Sequence, residues 1–177
     1  MSQRRRKQSM VTVEGVISKK SWQLTRGLDH KCFFRQHWLS IKDWRWYEPH
    51  LILIQGSAVG FAAIRPNSNL SLEKDSFFSS PGTVYLGRIG ILPLFQGRGL
   101  ASRFLNWLID CSEEAYYSRI ACHCAVNNRG SRALLEKFRF KNIGTVVCPP
   151  IKPTAPPLRI IVWERPLAAS LPEILSG

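Results

Sequence analysis

The tightest constraint on how this chain folds lies between residues 83 and 112, where an apolar run passes through a glycine-rich turn into a periodic pattern. Residues 83–92 (TVYLGRIGIL) read as a strand that stops at Pro93, which cannot donate to a sheet ladder. Ala101, Phe104, Leu105, Leu108, Ile109 and Ser112 then recur at offsets of 0, 3, 4, 7, 8 and 11, the pattern of an amphipathic helix. Between them lies Pro93-Leu94-Phe95-Gln96-Gly97-Arg98-Gly99. Glycines at 97 and 99 let backbone amides approach a ligand that a Cβ would hold away. The first-turn amides of the following helix have no intrahelical partner and sit at the positive end of its dipole. A phosphate or pyrophosphate is their natural occupant.

The remaining segments read as a scaffold around this corner. Residues 11–17 (VTVEGVI) are β-branched and short, a first strand. Residues 21–47 are aromatic and basic. Phe34, Trp38 and Ile41 fall at helical spacing, Phe33, His37 and Trp44 form a neighbouring stripe, and Trp22 and Trp46 lie in the same region. Arg35, Lys42 and Arg45, interleaved with the aromatics, leave a base-stacking surface open. A core-facing helix pair with snorkelling basic residues accounts for the pattern better, and it would also wall a second-substrate site. Residues 51–54 and 59–64 flank Gln55-Gly56-Ser57 as a β-hairpin, and residues 66–81 form a polar, Ser-rich connection.

Residues 119–126 follow the periodic helix as a strand, and strand–helix–strand at this spacing implies a right-handed parallel crossover. Asn127 or Asn128 caps a further helix whose apolar face is Ala133, Leu134, Leu135 and Phe138. Residues 143–147 are a short strand, 148–157 hold five prolines as a stiff extended connector, and 158–163 close the sheet. The predicted order is β-αα-β-β-β-α-β-α-β-β, a mixed α/β sheet in one domain over residues 11–167. A disordered basic arm, 1–10, precedes it, and a peripheral tail, 168–177, follows.

At 177 residues the chain is long enough for one substantial core. No apolar run approaches the ~20 residues of a membrane-spanning helix, and no apolar segment follows the basic N-terminus as a secretory signal requires. No membrane partner is expected, and a cytoplasmic location is. Five scattered cysteines (32, 111, 122, 124, 148) read as reduced thiols. In Cys122-His123-Cys124, a strand would turn the two thiols to one face and the imidazole to the other. No second pair completes a tetrahedral site, so no metal is expected. The formal charge is +13, and residues 1–50 contribute +7 of it (11 Lys+Arg against 4 Asp+Glu). That excess points to a polyanionic partner (RNA, DNA, the ribosome or a phosphate-rich cofactor), with a merely solubilising surface as the alternative.

Three readings of the glycine loop compete. A P-loop needs a Lys after its glycines, and none follows here. A dinucleotide fingerprint needs GxGxxG, whereas Gly97, Gly99 and Ser102 give GxGxxS with no dinucleotide scaffold after it. The third reading is a resemblance. Residues 89–101 (IGILPLFQGRGLA) resemble the acetyl-CoA motif Q/R-x-x-G-x-G/A of the GNAT (Gcn5-related) N-acetyltransferases, in Gln96, Gly99 and Ala101. Residues 128–140 resemble that family's second signature, N-x-x-A-x-x-x-Y-E-K-x-G-F, in Asn128, Glu136, Lys137 and Phe140. Residues 162–167 (VWERPL) are similar to a family terminus. Together these cover about residues 50–167 and agree with the element order read from the residues.

The resemblance implies a mostly antiparallel sheet with a central parallel, splayed strand pair, flanked by helices, and acetyl-CoA as cosubstrate. Amides of Gly97, Arg98, Gly99, Leu100, Ala101 and Ser102 would cradle the pyrophosphate, with Arg98 adding charge. Ile89, Gly90 and Ile91 would splay from residues 119–126 and bond the pantetheine like an added strand, and an amide near Ile91 would polarise the thioester carbonyl. Gln96 belongs to the same motif, and Asn128 would bond the cofactor beyond the splay. The departures from the pattern include the family's usual acid, a tyrosine, which falls on Leu135, and its usual glycine, which falls on Arg139. A glutamate base sits five residues before the asparagine in several members, and that position here is His123, a base suited to an ammonium acceptor or else a satisfied core histidine.

The expected function is transfer of an acetyl group from acetyl-CoA to a primary amine by direct attack in a ternary complex. The acceptor is of unknown identity, carried on RNA or the ribosome in the reading the basic surface favours; that surface counts against a polyamine. The rival is a non-catalytic module of the same fold that binds acyl-CoA or nucleic acid. A monomer or homodimer is expected.

Overall fold

The computed structural model describes residues 11–16, 18–33, 47–66, 82–148 and 157–168. The expectations for the basic arm, residues 34–46, the Ser-rich connection, the proline-rich connector and nearly all of the tail fall outside these residues. The described elements are β1 (Val11–Gly15), α1 (Lys19–Cys32), β2 (Glu48–Ile54), β3 (Ser57–Pro66), β4 (Thr83–Ile91), a 3-10 turn (Pro93–Phe95), α2 (Leu100–Glu114), β5 (Arg119–Ala125), α3 (Arg129–Lys137), β6 (Lys141–Cys148) and β7 (Leu158–Pro166). They form one mixed α/β domain. Its seven-stranded sheet runs β1-β2-β3-β4-β5-β7-β6, and only the β4–β5 pair is parallel.

The sheet is covered on both faces. On one side Leu28 of α1, with Trp22 and Phe33, packs against Leu51, Leu53, Phe61 and Ala63. On the other, Phe104, Leu105 and Leu108 of α2 and Leu135 and Phe138 near α3 pack against Ile52, Val84, Leu86, Ile120, Cys122 and Trp163. The periodicity read from residues 101–112 is the buried face of α2. Reciprocal Ser18–Ser21 bonds at 3.1 Å start α1, which satisfies first-turn donors. This helix buries Thr25, Leu28 and Asp29 and ends at Cys32, with Phe33 extended as its C-cap. Phe33 therefore ends a helix, and the rest of its predicted stripe, His37 and Trp44, lies outside the described residues.

In the β2–β3 hairpin, Gln55 (φ 51°) and Gly56 (φ 76°) form the turn, and Ser57 already belongs to β3. Two left-handed residues match the twist of the flanking strands. The segment 158–163 does not close the sheet. β7 lies between β5 and β6, because Ile160, Ile161, Val162 and Trp163 are buried on both faces, while β6 carries Lys141, Asn142 and Thr145 and takes the edge.

Two irregularities shape the centre. Residues Ala63↔Arg88 and Ile64↔Leu86 pair across β3–β4, so Gly87 is bulged out of register. A Cβ there would overlap the Tyr47 ring, which is why the bulge residue is glycine. The bulge resets the alternation: Tyr85 faces the α1 side before it, and Arg88 and Gly90 face that side after it. Secondly, β4 and β5 pair only from Thr83↔Arg119 to Leu86↔Cys122, although both strands continue. Beyond that point they splay.

Candidate active site

The glycine loop follows directly from the end of β4. The Leu92 amide donates to Val59 O (2.9 Å), the 3-10 turn reverses the chain, and Gln96 Nε2 donates back to Ile91 O at 2.9 Å. Gly97 (φ 72°) and Gly99 (φ 75°) both adopt left-handed backbone, and a Cβ at either would meet only open space. Conformation, not crowding by the protein, calls for these glycines. Gly99 is the N-cap of α2, and no side chain caps it, whereas Ser18 caps α1 and Asn128 Oδ1 accepts the Ser131 amide at 3.0 Å to cap α3.

The uncapped amides open on a cavity of about 280 Å³. Of the residues read from the sequence as cofactor-binding, Ile89, Ile91, Gln96, Gly97, Gly99, Leu100, Ala101, Ser102 and Asn128 line it. Gly90 does not; it packs under Phe61, Phe33 and Cys32, where a Cβ would sit 2.6–3.0 Å from their atoms. Nor does Arg98 line it: the guanidinium lies 5.3 Å from the centre of the Phe95 ring. Gly130 and Ser131, at the start of α3, form the opposite wall.

A second cavity, about 610 Å³, occupies the splay and shares Ile89, Asn128, Ser131 and Leu134 with the first. Ile89, Leu105, Leu134 and Leu135 line it on the α2–α3 side; Phe33, Arg88, His123 and Ala125 line it on the α1 side. The strand alternation in Cys122-His123-Cys124 is as expected: the thiols join the α2–α3 core and the imidazole faces α1.

There Nδ1 of His123 contacts the Tyr85 hydroxyl, the two rings stack with centroids 5.8 Å apart, and Tyr47 lies against Tyr85 at 6.5 Å. Burial, then the Arg88 charge, lower the His123 pKa from its ordinary 6.5. Arg88 in turn is bound to the fully buried Asp29 at 2.5 Å and lies over the Phe33 ring at 4.4 Å. Tyr85 was not singled out from the sequence. A tyrosine in an apolar strand reads as core, and only the β4–β5 register, Tyr85 opposite Ala121, brings it beside His123.

The cavity's thiols are held neutral. Burial, then the Asp29 charge, push Cys32 up to about 11; burial dominates the upward shifts of Cys122 and Cys124. Leu135 is buried in the cavity wall. Arg139 holds left-handed backbone (φ 60°), the conformation for which the glycine of the resembled signature is suited.

Residues 19–140 match the acetyltransferase (GNAT) family. Among solved structures, the ribosomal-protein-S18-alanine N-acetyltransferase from Escherichia coli superimposes with a TM-score of 0.72 at 17% identity, covering 95% of this chain and 100% of the other. Arabidopsis thaliana Naa50, in complex with a bisubstrate analogue CoA-Ac-MVNAL, gives 0.69 at 22% identity, with 88% and 97% covered. A GNAT family acetyltransferase from Elizabethkingia anophelis with acetyl-CoA bound gives 0.65 at 14%, with 89% and 98% covered. At these identities the likenesses establish the fold. No curated protein matches the chain in sequence. The chain belongs to the GNAT acetyltransferase family.

Proposed function

We propose that this chain is an acetyl-CoA-dependent N-acetyltransferase acting on a primary amine by direct attack in a ternary complex. The observation that carries this reading is the uncapped N-terminus of α2, with left-handed Gly97 and Gly99, opening beside the splayed β4–β5 pair. These features fit a CoA pyrophosphate: the α2 amides need an acceptor from outside the helix, and the helix dipole favours an anion there. Gly97, Gly99, Leu100, Ala101 and Ser102 would hold the pyrophosphate, and Ile89, Ile91 and Asn128 the arm beyond it. Asn128 Oδ1 is engaged in capping, so a ligand bond from that side chain comes from its NH2. Acetyl-CoA, when bound, supplies the activated acyl group.

His123 is the base. In the tautomer whose Nδ1–H donates to the Tyr85 oxygen, Nε2 is the nitrogen that would take the acceptor's proton. Tyr85 fixes ring orientation and tautomer, a positioning role. Leu135 has no proton to give; because a thiol titrates at about 8.5, near working pH, acid assistance contributes less than removal of the ammonium proton. The upward-shifted cavity thiols support direct attack over an acyl-cysteine route.

An acceptor presented on the ribosome or RNA is favoured by the +13 charge and by α1, where Lys19, Lys20, His30 and Lys31 are exposed and the single acid, Asp29, is buried. The Escherichia coli neighbour, a ribosomal-protein-S18-alanine N-acetyltransferase, supports the same reading. The test is acetyl-CoA binding by calorimetry together with thiol release against a panel of amines. Binding and release from one amine class are expected. Tight binding with no release from any amine overturns catalysis in favour of the binding-module reading, and no binding overturns both.

A further inference from the structure

We propose, on the acetyltransferase reading above, that the acceptor is the α-amino group of a polypeptide whose first residue is uncharged and apolar. The register places the wall that such a residue would meet. His123↔Val162 and Ala125↔Ile160 pair across β5–β7, so Leu158 and Ile160 share the His123 face. Phe33, at the end of α1, lines the same cavity from across the gap. The α1 side of the cavity is therefore walled by Phe33, Ala125, Leu158 and Ile160 around the one imidazole. Among the described lining residues Arg88 is the only Lys or Arg, its charge is met by Asp29, and no lining residue is a carboxylate. An apolar side chain beside the reacting amine gains by leaving water there, whereas a charged one loses hydration without a partner.

The base selects in the same direction. His123 is weaker than an ordinary histidine, through burial and Arg88. A peptide α-amine titrates at about 7.7–8.0 and a lysine side chain at about 10.4, so at pH 7 about one α-amine in ten is neutral against about one lysine in 2,500. A free amino acid fits poorly, because the cation that would bind its carboxylate is already bound to Asp29. A polyamine would find no carboxylate among the described lining residues to receive it.

The experiment compares the full chain on four acceptors at pH 7 by thiol release. They are a peptide beginning with Ala or Val, the same peptide beginning with Lys or Asp, an Nα-acetylated peptide with an internal Lys, and an aminoacyl-tRNA. The apolar-first peptide is expected to exceed the internal lysine at least tenfold in kcat/KM, and to exceed both charged-first peptides. Equal or faster use of the internal lysine, of a charged-first peptide or of aminoacyl-tRNA overturns the inference and leaves the acetyltransferase reading standing. Release from no acceptor while acetyl-CoA binds overturns that reading and this inference together. A second variant tests the wall directly. Leu158→Glu, at a half-exposed strand start, is expected to raise use of the Lys-first peptide relative to the Ala-first peptide at least tenfold; an unchanged ratio overturns the assignment.

Discussion

The Tyr85 hydroxyl meets Nδ1 of His123 at the point where β4 and β5 stop pairing, so the base proposed from the sequence is oriented by a residue 38 positions earlier. Substituting His123→Ala is expected to lower kcat about 10²-fold or more, with acetyl-CoA binding retained. Tyr85→Phe keeps the stacked ring and removes the hydroxyl; about a tenfold loss in kcat with an unchanged KM for acetyl-CoA is expected. A KM change without a kcat change would assign Tyr85 to cofactor binding instead.

The pH profile follows from the direction of the His123 shift. Its folded pKa lies below 6.5, so Nε2 stays unprotonated down to lower pH than in an ordinary histidine. Once the acceptor's own ionisation is factored out, the acidic limb of kcat/KM should fall below pH 6.5, as read in a pH–rate series.

Stability carries the same sign. His123 and His50 are both shifted down by burial, so between the folded and unfolded pKa values the unfolded chain binds more protons. Their penalty is absent above about pH 6.5 and grows as pH falls through that value toward the folded pKa values. The melting temperature is expected to drop between pH 7.5 and 5, and to drop less in His50→Gln, as calorimetry would show.

Gly99→Glu should abolish acetyl-CoA binding without unfolding the protein. The position is open, so no core contact is lost; the folded state bears about 1–2 kcal/mol of left-handed strain, and bulk and negative charge stand at the α2 N-terminus. Binding calorimetry beside a thermal melt separates the two effects.

Arg88→Ala should cost about 3–5 kcal/mol of stability in denaturant unfolding, because it removes the Arg88 guanidinium from the buried Asp29 carboxylate. Arg88→Ala combined with Asp29→Asn should recover most of that loss. By contrast, Arg139→Gly should stabilise by about 0.5–1 kcal/mol, since it removes left-handed strain at an exposed site.

Local signals were legible in the chain itself. A 3.6-residue period marks α2 whatever its surroundings, a cap for α3 was read at Asn127 or Asn128 and is Asn128, and Gly97 and Gly99 mark the turn before a helix start. These depend on bonds and dihedrals within a few residues, so the glycine-rich turn and the helix after it follow from sequence alone. The alternation that separates His123 from Cys122 and Cys124 is local in the same sense.

Tertiary structure decided the rest, because each remaining feature depends on strand register between distant segments. The Gly87 bulge, which turns Arg88 toward Asp29, exists only against β3 and Tyr47. The end of pairing at Leu86↔Cys122 opens the splay, and the β4–β5 register sets Tyr85 beside His123. Insertion of β7 between β5 and β6 brings Leu158 and Ile160 to the cavity that His123 lines. A one-residue slip would send each of these side chains to the opposite face. The glycine-rich helix start proposed to hold the cofactor was therefore written in the sequence, whereas the surroundings of the proposed base and acceptor wall depend on how strands far apart in the chain align.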